Sequence, residues 1–428
     1  MKILFLVGCF LTNSCVKLFV DKIVKYNSIS FLKKTSDPII VVAAVDETEA
    51  IIRACEEHKI KISGVCDSEK RKSEKLFAGI KVFHTPTLPQ YFPKARFIIA
   101  SQHIQECAEQ LIGLGYNEFY SGLELLKNFK VEKFNYSFSQ SYMASKLIVW
   151  KKTHEHYFND DKIYMRSLDV MLTTKCSLKC RNCSNLMQYY VDPKNTSYEK
   201  ILSALKIIDE NVDYISEYRV IGGEPLMNKD WANIVNRLSE YNAEANIYIY
   251  TNATIAPKDD QLESFKGKKV NFIITDYGDL SRNINTMTER LKKYNIPFKR
   301  EAAGDWVDCS NIVHHKRPVA LLEEVFKQCC VKYIYTLLHG KIYRCPFIAN
   351  AANLNAIPDN PANYVNLLSA KNDIKKQIHR LVKVAKFFPA CDFCDGRPYD
   401  PASNVGYDGK GMIPAGEQVA DPIPYKVY

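Results

Sequence analysis

Two blocks of this 428-residue chain alternate apolar runs of strand length with amphipathic stretches of helical spacing, and no other feature restricts the fold as much. In residues 38 to about 125, "PIIVVAAV", "KISGVCD", "ARFIIAS" and "EFYSG" read as strands by length and β-branching. Between them "DETEAIIRACEEHKI", with an acidic first turn, and "HIQECAEQLIGLGY" read as helices. The second block opens with the strand "IYMRSLDVMLTTKC" and continues through "EYRVIGGEPL", "NIYIYTNAT" and "VNFIITDYG". The helices "SYEKILSALKIIDEN", "DWANIVNRLSEY" and "NTMTERLKKYN" and the helical link "QLESFKGKK" separate and follow them. Such alternation builds parallel sheets with helices packed on them. The expected class is α/β: a small doubly wound, Rossmann-like sheet, then a partial (β/α)6 barrel. Ligands and chemistry then belong at the carboxyl ends of the strands.

A chain of this length makes two or three domains, and its 46% apolar and 25% charged residues are those of an ordinary globular protein. Fifty-eight Lys and Arg against 48 Asp and Glu leave a net charge of +10. The excess is spread out, apart from a run at Glu69–Lys75 that reads as a solvated loop. It suits an anionic small-molecule substrate and lacks the concentrated, aromatic-laced patch of a nucleic-acid partner. Of 14 cysteines, Cys9, Cys15, Cys55, Cys66, Cys107 and Cys309 are scattered, while the others cluster at metal-ligand spacings. A reducing cytoplasm is the natural setting for thiolates kept free for metal. "MKILFLVGCFLTNSC" resembles a short signal peptide, but its apolar run is too short to span a bilayer. An amphipathic stretch, "CVKLFVDKIVKY", follows without a break, so the expectation is a cytoplasmic segment packed on the next domain. Nothing else reads as a membrane span.

The first turn of the first block, "VAAVDETEA", lacks the glycines that bring backbone amides to a pyrophosphate. With "SGVCD" and "GIKVFHTPTL", the block resembles over about 90 residues the sugar-nucleotide-binding domain that precedes some bacterial sugar acyltransferases. Asp67, at a strand end, reads either as a ribose contact or as a capping aspartate. Residues 127–160 read as a connecting helix, with His154 and His156 on its charged surface.

"KCSLKCRNC" sets Cys176, Cys180 and Cys183 in a C-x3-C-x2-C run straight after a strand. Each can ligate one iron of a cubane 4Fe-4S cluster, which leaves the fourth iron open. A structural zinc site would want a fourth ligand, and none lies in the loop. A ferredoxin cluster would recruit a distant cysteine. The second motif, "GGEP" (Gly222, Gly223, Glu224, Pro225), follows the next strand. Its glycines expose backbone and Glu224 adds a carboxylate, which suits a small zwitterionic ligand. The pairing of these two motifs resembles the signature of the radical S-adenosylmethionine superfamily, over residues 163 to about 300. The resemblance implies a 4Fe-4S cluster on Cys176, Cys180 and Cys183, with the amino and carboxylate groups of S-adenosylmethionine on the open iron. Gly222, Gly223, Glu224 and Pro225 match the cofactor's amino-group site. Thr251, Asn252, Thr275 and Asp276 stand at later strand ends where the family contacts ribose and carboxylate. Asn182 occupies a position that is often aromatic in the family, so adenine packing passes to Tyr189 or Tyr277.

The third constellation is "CVKYIYTLLHGKIYRC", in which Cys330, Gly340 and Cys345 have C-x9-G-x4-C spacing, with Cys391 and Cys394 in "FPACDFCDG". The first part reads as a β-hairpin turning at His339–Gly340. Four thiolates could hold zinc on geometry alone. Beside a radical core the spacing resembles the family's α+β auxiliary-cluster domain in its short "twitch" form, which implies one further 4Fe-4S cluster. Cys329 adjoins Cys330, and spacing favours Cys330. The tail, "GRPYDPASNVGYDGKGMIPAGEQVADPIPYKVY", is rich in Gly, Pro and Tyr and reads as irregular chain over the second cluster or the barrel mouth. Cys309 is a candidate hydrogen-atom donor and otherwise an inert buried thiol.

The expected organisation is an apolar segment at 1–37, a Rossmann-like domain at 38–125, a linker at 126–162, a radical core at 163–308 and an auxiliary-cluster domain at 309–428. The resemblance implies reductive cleavage of S-adenosylmethionine by a flavodoxin- or ferredoxin-type reductant, then hydrogen abstraction from the substrate. The first block suggests an activated sugar in surface-polysaccharide biosynthesis, to be epimerised, dehydrated or dehydrogenated. A peptide-modifying maturase and a non-enzymatic iron–sulfur scaffold or sensor are the alternatives.

Overall fold

The computed structural model describes residues 24–25, 29–137, 140–157, 162–369, 373–398, 401 and 405–428. The chain divides into two compact units, Met1–Asp161 and Lys162–Tyr428. Cys9, Cys15 and most of the expected N-terminal segment lie outside the described residues.

Among the described residues the first unit holds seven strands: β1 (Val24–Lys25), β2 (Ile39–Val42), β3 (Gly64–Asp67), β4 (Leu76–Phe77), β5 (Ile80–His84), β6 (Arg96–Ile99) and β7 (Phe119–Tyr120). Their order is β1-β7-β6-β2-β3-β5-β4, parallel throughout except for the β4–β5 hairpin. Central β2 is buried along its whole length, as its unbroken "IIVV" requires. The hairpin had no sequence signal. Its two turn residues, Ala78 (φ 47°) and Gly79 (φ 80°), both take positive φ, which a two-residue hairpin turn needs, but Ala–Gly lacks the usual Asn–Gly or Asp–Gly cue.

Asp67 is a cap. One of its carboxylate oxygens accepts from Ala44 N (2.8 Å) and Lys72 Nζ (3.1 Å), and the other from Glu69 N (2.8 Å). The helix Gln140–Tyr157 forms as expected, but the surface assignment of His154 is corrected. That residue is fully buried, stacks on Trp150 at 3.8 Å between ring centroids and meets Ser101 O through Nε2 at 3.0 Å. Its charged sequence neighbours face away from a contact that only the tertiary fold creates. Among the described residues no helix is long and apolar enough to cross a membrane.

The second unit is built on β8 (Tyr164–Met171), β9 (Tyr214–Ile221), β10 (Asn246–Thr251), β11 (Val270–Asp276) and β12 (Phe298–Ala302), parallel and adjacent in chain order. Helices Tyr198–Asn211, Trp231–Tyr241, Asp259–Glu263 and Ile284–Lys293 connect them. Burial alternates cleanly along β10: Ile247 and Ile249 are buried, while Tyr248 and Tyr250 are only half covered. One face therefore belongs to the apolar core and the other stays open.

Further strands are β13 (Asp305–Val307), β14 (Ile334–Leu338), β15 (Lys341–Tyr343), β16 (Tyr364–Asn366) and β17 (Met412–Pro414). The sixth parallel strand, β14, does not follow β12. It joins the other edge, beside β8, in the register Thr336↔Asp169, and β15 and β16 continue antiparallel. The C-terminal hairpin thus extends the core sheet and covers backbone groups that an exposed β8 edge would leave unpaired. Its turn falls at His339 (φ 50°) and Gly340 (φ 81°), as expected. A Cβ on Gly340 would stand 2.4 Å from Leu368 Cδ1. The tail is not wholly irregular, because β17 pairs antiparallel with β13 (Trp306↔Ile413).

Candidate metal centre

Strand β8 delivers the cysteine loop, which is held open by backbone contacts to the following segment. Thr174 N donates to Lys194 O (2.9 Å), and the Thr173 hydroxyl accepts from Lys175 N (2.9 Å) and donates to Asn195 Oδ1 (2.7 Å). Cys180 is buried, and Cys176 and Cys183 are partly so. Burial pushes the Cys176 and Cys183 thiols up, and Cys180 to about 11. Backbone N–H groups of Leu178, at Cys176, and of Met187, Asn185 and Leu186, at Cys183, pull the other way. Donors aimed at sulfur favour the thiolate, the form that binds metal.

The GGEP glycines serve close packing. A Cβ on Gly222 would meet Thr173 O at 2.5 Å, and one on Gly223 would meet Lys175 O at 2.3 Å and Cys176 Cβ at 2.7 Å. The N–H groups of Gly223 and Glu224 donate to Thr173 O (3.0 Å) and Lys175 O (2.8 Å). The motif is thus laced to the cysteine loop. Pro225 is buried and opens a short 3-10 turn.

Glu224 is fully buried. Its carboxylate accepts from the Thr251 hydroxyl (2.9 Å), Asn252 N (2.8 Å) and Leu226 N (3.2 Å). Burial still pushes it up to about 7. Asn252 extends the line, donating through Nδ2 to Ser177 Oγ (3.2 Å) and Cys176 Sγ (3.7 Å). Cys176, Glu224, Thr251 and Asn252 therefore meet in one hydrogen-bonded group.

Other expected positions fare differently. Asp276 is engaged by Arg300 at 2.6 Å and 2.9 Å and by Gly278 N at 2.9 Å, and Arg300 holds its carboxyl below the usual range. Thr275 is half buried and its carbonyl accepts from Ser281 Oγ (3.4 Å). Asn182 is half buried beside Cys183 in the loop. Of the two aromatic candidates, Tyr277 stands at the cysteines: its phenol is pushed up by burial and then by Cys180, Cys183, Cys176 and Glu224. Tyr189 instead donates to Ser310 O (3.2 Å) and packs edge-on against Tyr425.

The tail supplies residues the sequence did not signal. Gln418 donates Nε2 to Cys180 Sγ (3.2 Å) and accepts from Lys179 N (2.7 Å). Arg181 N donates to Glu417 O (2.7 Å) and Val419 N to Lys179 O (2.9 Å). Gly416 lies against Tyr277, where a Cβ would stand 2.9 Å from Cδ1. Residues 416–419 thus form a strap along the loop.

The C-terminal cysteines also gather. Cys345 is the N-cap of helix Pro346–Asn353, and the N–H groups of Phe347 and Ile348 oppose the upward push of burial on its thiol. Burial raises Cys394, and the Cys309, Cys329 and Cys345 thiols raise it further. Burial likewise raises Cys329, followed by Cys330 and Cys345, and takes Cys391 to about 12, with Cys345 adding. Cys309, 2% exposed, lies beside Arg397, Cys330 and Asp395. Arg317, another unsignalled residue, donates to the carbonyls of Cys394 (2.8 Å) and Cys391 (3.3 Å). Among the described residues no three His, Cys, Asp or Glu side chains converge tightly enough for a single metal ion.

Residues 170–296 match the model of the Radical SAM superfamily. The chain is 31% identical over 88 residues to a GTP 3',8-cyclase of Campylobacter jejuni, which is 20% of this chain and 27% of that protein. It is 29% identical over 97 residues to the GTP 3',8-cyclase of a Sulfurovum species, 22% of this chain and 29% of that protein. The chain thus spans less than a third of the length of these relatives. Among solved structures, BtrN in complex with AdoMet and 2-DOIA has a TM-score of 0.38 at 14% identity, over 54% of this chain and 94% of that one. The anSMEcpe structure with bound AdoMet has a TM-score of 0.35 at 11% identity, over 51% of this chain and 82% of that one.

Proposed function

Residues 170–296 form a radical SAM superfamily domain, and from that premise we propose an enzyme that binds a 4Fe-4S cluster through Cys176, Cys180 and Cys183 and S-adenosylmethionine at the open iron. The hydrogen-bonded line Glu224–Asn252–Cys176 carries this reading, because it joins the two sequence motifs in one group. When bound, cluster and cofactor supply one-electron cleavage to methionine and a 5′-deoxyadenosyl radical, which takes a hydrogen atom from the substrate.

The chain's own share is positioning. Gly222 and Gly223 let the second loop lie against the first at distances no side chain would permit. Glu224, holding three donors, orients Thr251 and Asn252. Tyr277 and the 416–419 strap cover the loop and limit the water that reaches it.

We assign a second 4Fe-4S cluster to Cys345, Cys391, Cys394 and one of the adjacent pair Cys329 and Cys330. The C-x9-G-x4-C spacing favours Cys330, and we take Cys330. As substrate we assign an anionic activated sugar, on the +10 net charge and the first unit's resemblance to sugar-nucleotide modules.

Anaerobic reconstitution with dithionite and S-adenosylmethionine tests the cofactor reading. Release of 5′-deoxyadenosine, abolished by C176A, is the expected result, and none from the wild-type chain would overturn it. Deuterium transfer into 5′-deoxyadenosine from a panel of labelled nucleotide sugars tests the substrate class. Transfer from a peptide instead would replace it.

A further inference from the structure

The inner face of the second unit's sheet, buried at β8 and β14 and half covered at β10, carries a polar row where a barrel interior is usually packed with branched apolar side chains. Registers align Thr336 on β14, Asp169 on β8, Arg219 on β9 and Tyr248 on β10 across four adjacent strands. Asp169 is fully buried and lies 3.1 Å from Arg219 Nε as an ion pair. The Arg219 guanidinium also stacks over Tyr250, 4.7 Å from the ring centroid.

A buried ion pair kept for stability should have its hydrogen bonds filled, since desolvation otherwise outweighs the attraction. Here the ion pair is out of hydrogen-bond alignment, and beyond it neither carboxylate oxygen of Asp169 nor Nε of Arg219 has a hydrogen-bond partner, while the hydroxyls of Thr336 and Ser167 have none. Arg397 adds a second cation. Its carbonyl is pinned by Cys330 N (2.7 Å), its Nη1 is buried without a partner, and its charge acts on Asp169, Arg219 and Cys183. That guanidinium therefore stands between the first cysteine loop, the C-terminal cysteines and the polar row. Glu217 also acts on Asp169 and Arg219, and the C-terminal thiols act on Arg397, so what the row offers an anion is its unfilled buried donors rather than net charge.

We propose that this row is the substrate's oxyanion subsite, in which Arg219 and Arg397 hold a phosphate or carboxylate and Asp169 accepts a hydrogen bond from a neighbouring hydroxyl. The subsite rests on the cofactor and substrate reading given above and assigns residues to it. Paired guanidinium groups suit both oxyanions, because their forked donors match either geometry.

The test uses the full-length, anaerobically reconstituted chain already loaded with S-adenosylmethionine, so that the cofactor's own carboxylate is in place. Inorganic pyrophosphate and glucuronate are titrated separately by calorimetry, which separates a phosphate from a carboxylate ligand. One of the two binds, R219Q and R397Q each weaken it by about tenfold or more, and R219K weakens it less. The double variant D169N/R219Q removes both buried charges at once and leaves no uncompensated ion, so it guards against mere unfolding. Failure of both probes to bind the cofactor-loaded protein would overturn the subsite, as would full binding by a folded D169N/R219Q. Failure of S-adenosylmethionine itself to bind would strike the cofactor reading instead.

Discussion

The side-chain amide of Gln418 donates to the sulfur of Cys180 at 3.2 Å, across 238 positions of sequence. A hydrogen bond to a ligating sulfur draws electron density from it and stabilises the more negative, reduced cluster.

Q418A should therefore lower the midpoint potential of the first cluster. A bond to a charged acceptor is worth about 1.5 kcal/mol, and its change between oxidation states sets the shift, on the order of 50 mV for one electron. Potentiometric titration followed by electron paramagnetic resonance reads it. An unchanged potential in Q418A would sever the tail from the cluster's electronics.

C329A and C330A should part company. With two cubanes the chain holds roughly eight irons, and C330A should keep roughly four of them while C329A keeps all. Iron assay with Mössbauer spectroscopy decides, and the opposite pattern would move the ligand to Cys329.

G223A places a methyl carbon 2.3 Å from Lys175 O and 2.7 Å from Cys176 Cβ. Neither atom lies at the end of a flexible side chain, so the cysteine loop itself must shift, at a cost of about 1–3 kcal/mol. The expected variant folds, keeps its C-terminal cluster and loses iron from the first. Full iron occupancy and cofactor cleavage in G223A would show the packing to be looser than described.

Acid should loosen the first unit through His154. Burial holds this imidazole at about 3, against an ordinary value of 6.5. Its stabilisation is thus complete above pH 6.5 and is lost as pH falls toward 3, because the unfolded chain takes up the proton first. The slope is about 1.4 kcal/mol per pH unit for one proton. Hydrogen exchange of the helix containing His154, measured in the full-length chain between pH 7.5 and 5, should show an opening free energy that is level down to about pH 6.5 and then falls toward that slope. H154Q should flatten the dependence, and equal slopes in the two proteins would remove His154 as its source.

Local signals carried most of the fold and only the beginning of the site. Strand-length apolar runs located β2, β3, β6 and β8–β11 because each buries a face that its own residues announce. The β4–β5 hairpin was invisible because Ala78 takes positive φ without the residue type that signals it. Placement of β14 beside β8 depends on which sheet edge is left bare, which no window of sequence records. Cys176, Glu224 and Asn252 belong to short motifs and could be named in advance. Gln418, Arg317 and Arg397 could not, since their partners lie far along the chain and their neighbours give no cue. His154 misled for the converse reason: charged neighbours in sequence, an aromatic stack in space.

The strap at 416–419 also bears on how the molecule is assembled. Lys179, Cys180 and Arg181 gain these partners only after residues up to Gln418, 238 positions beyond Cys180, have emerged. A nascent chain on the ribosome therefore displays its three-thiol loop bare, accessible to the machinery that delivers iron and sulfide and equally to oxygen. Arrival of residues 416–419 closes that window.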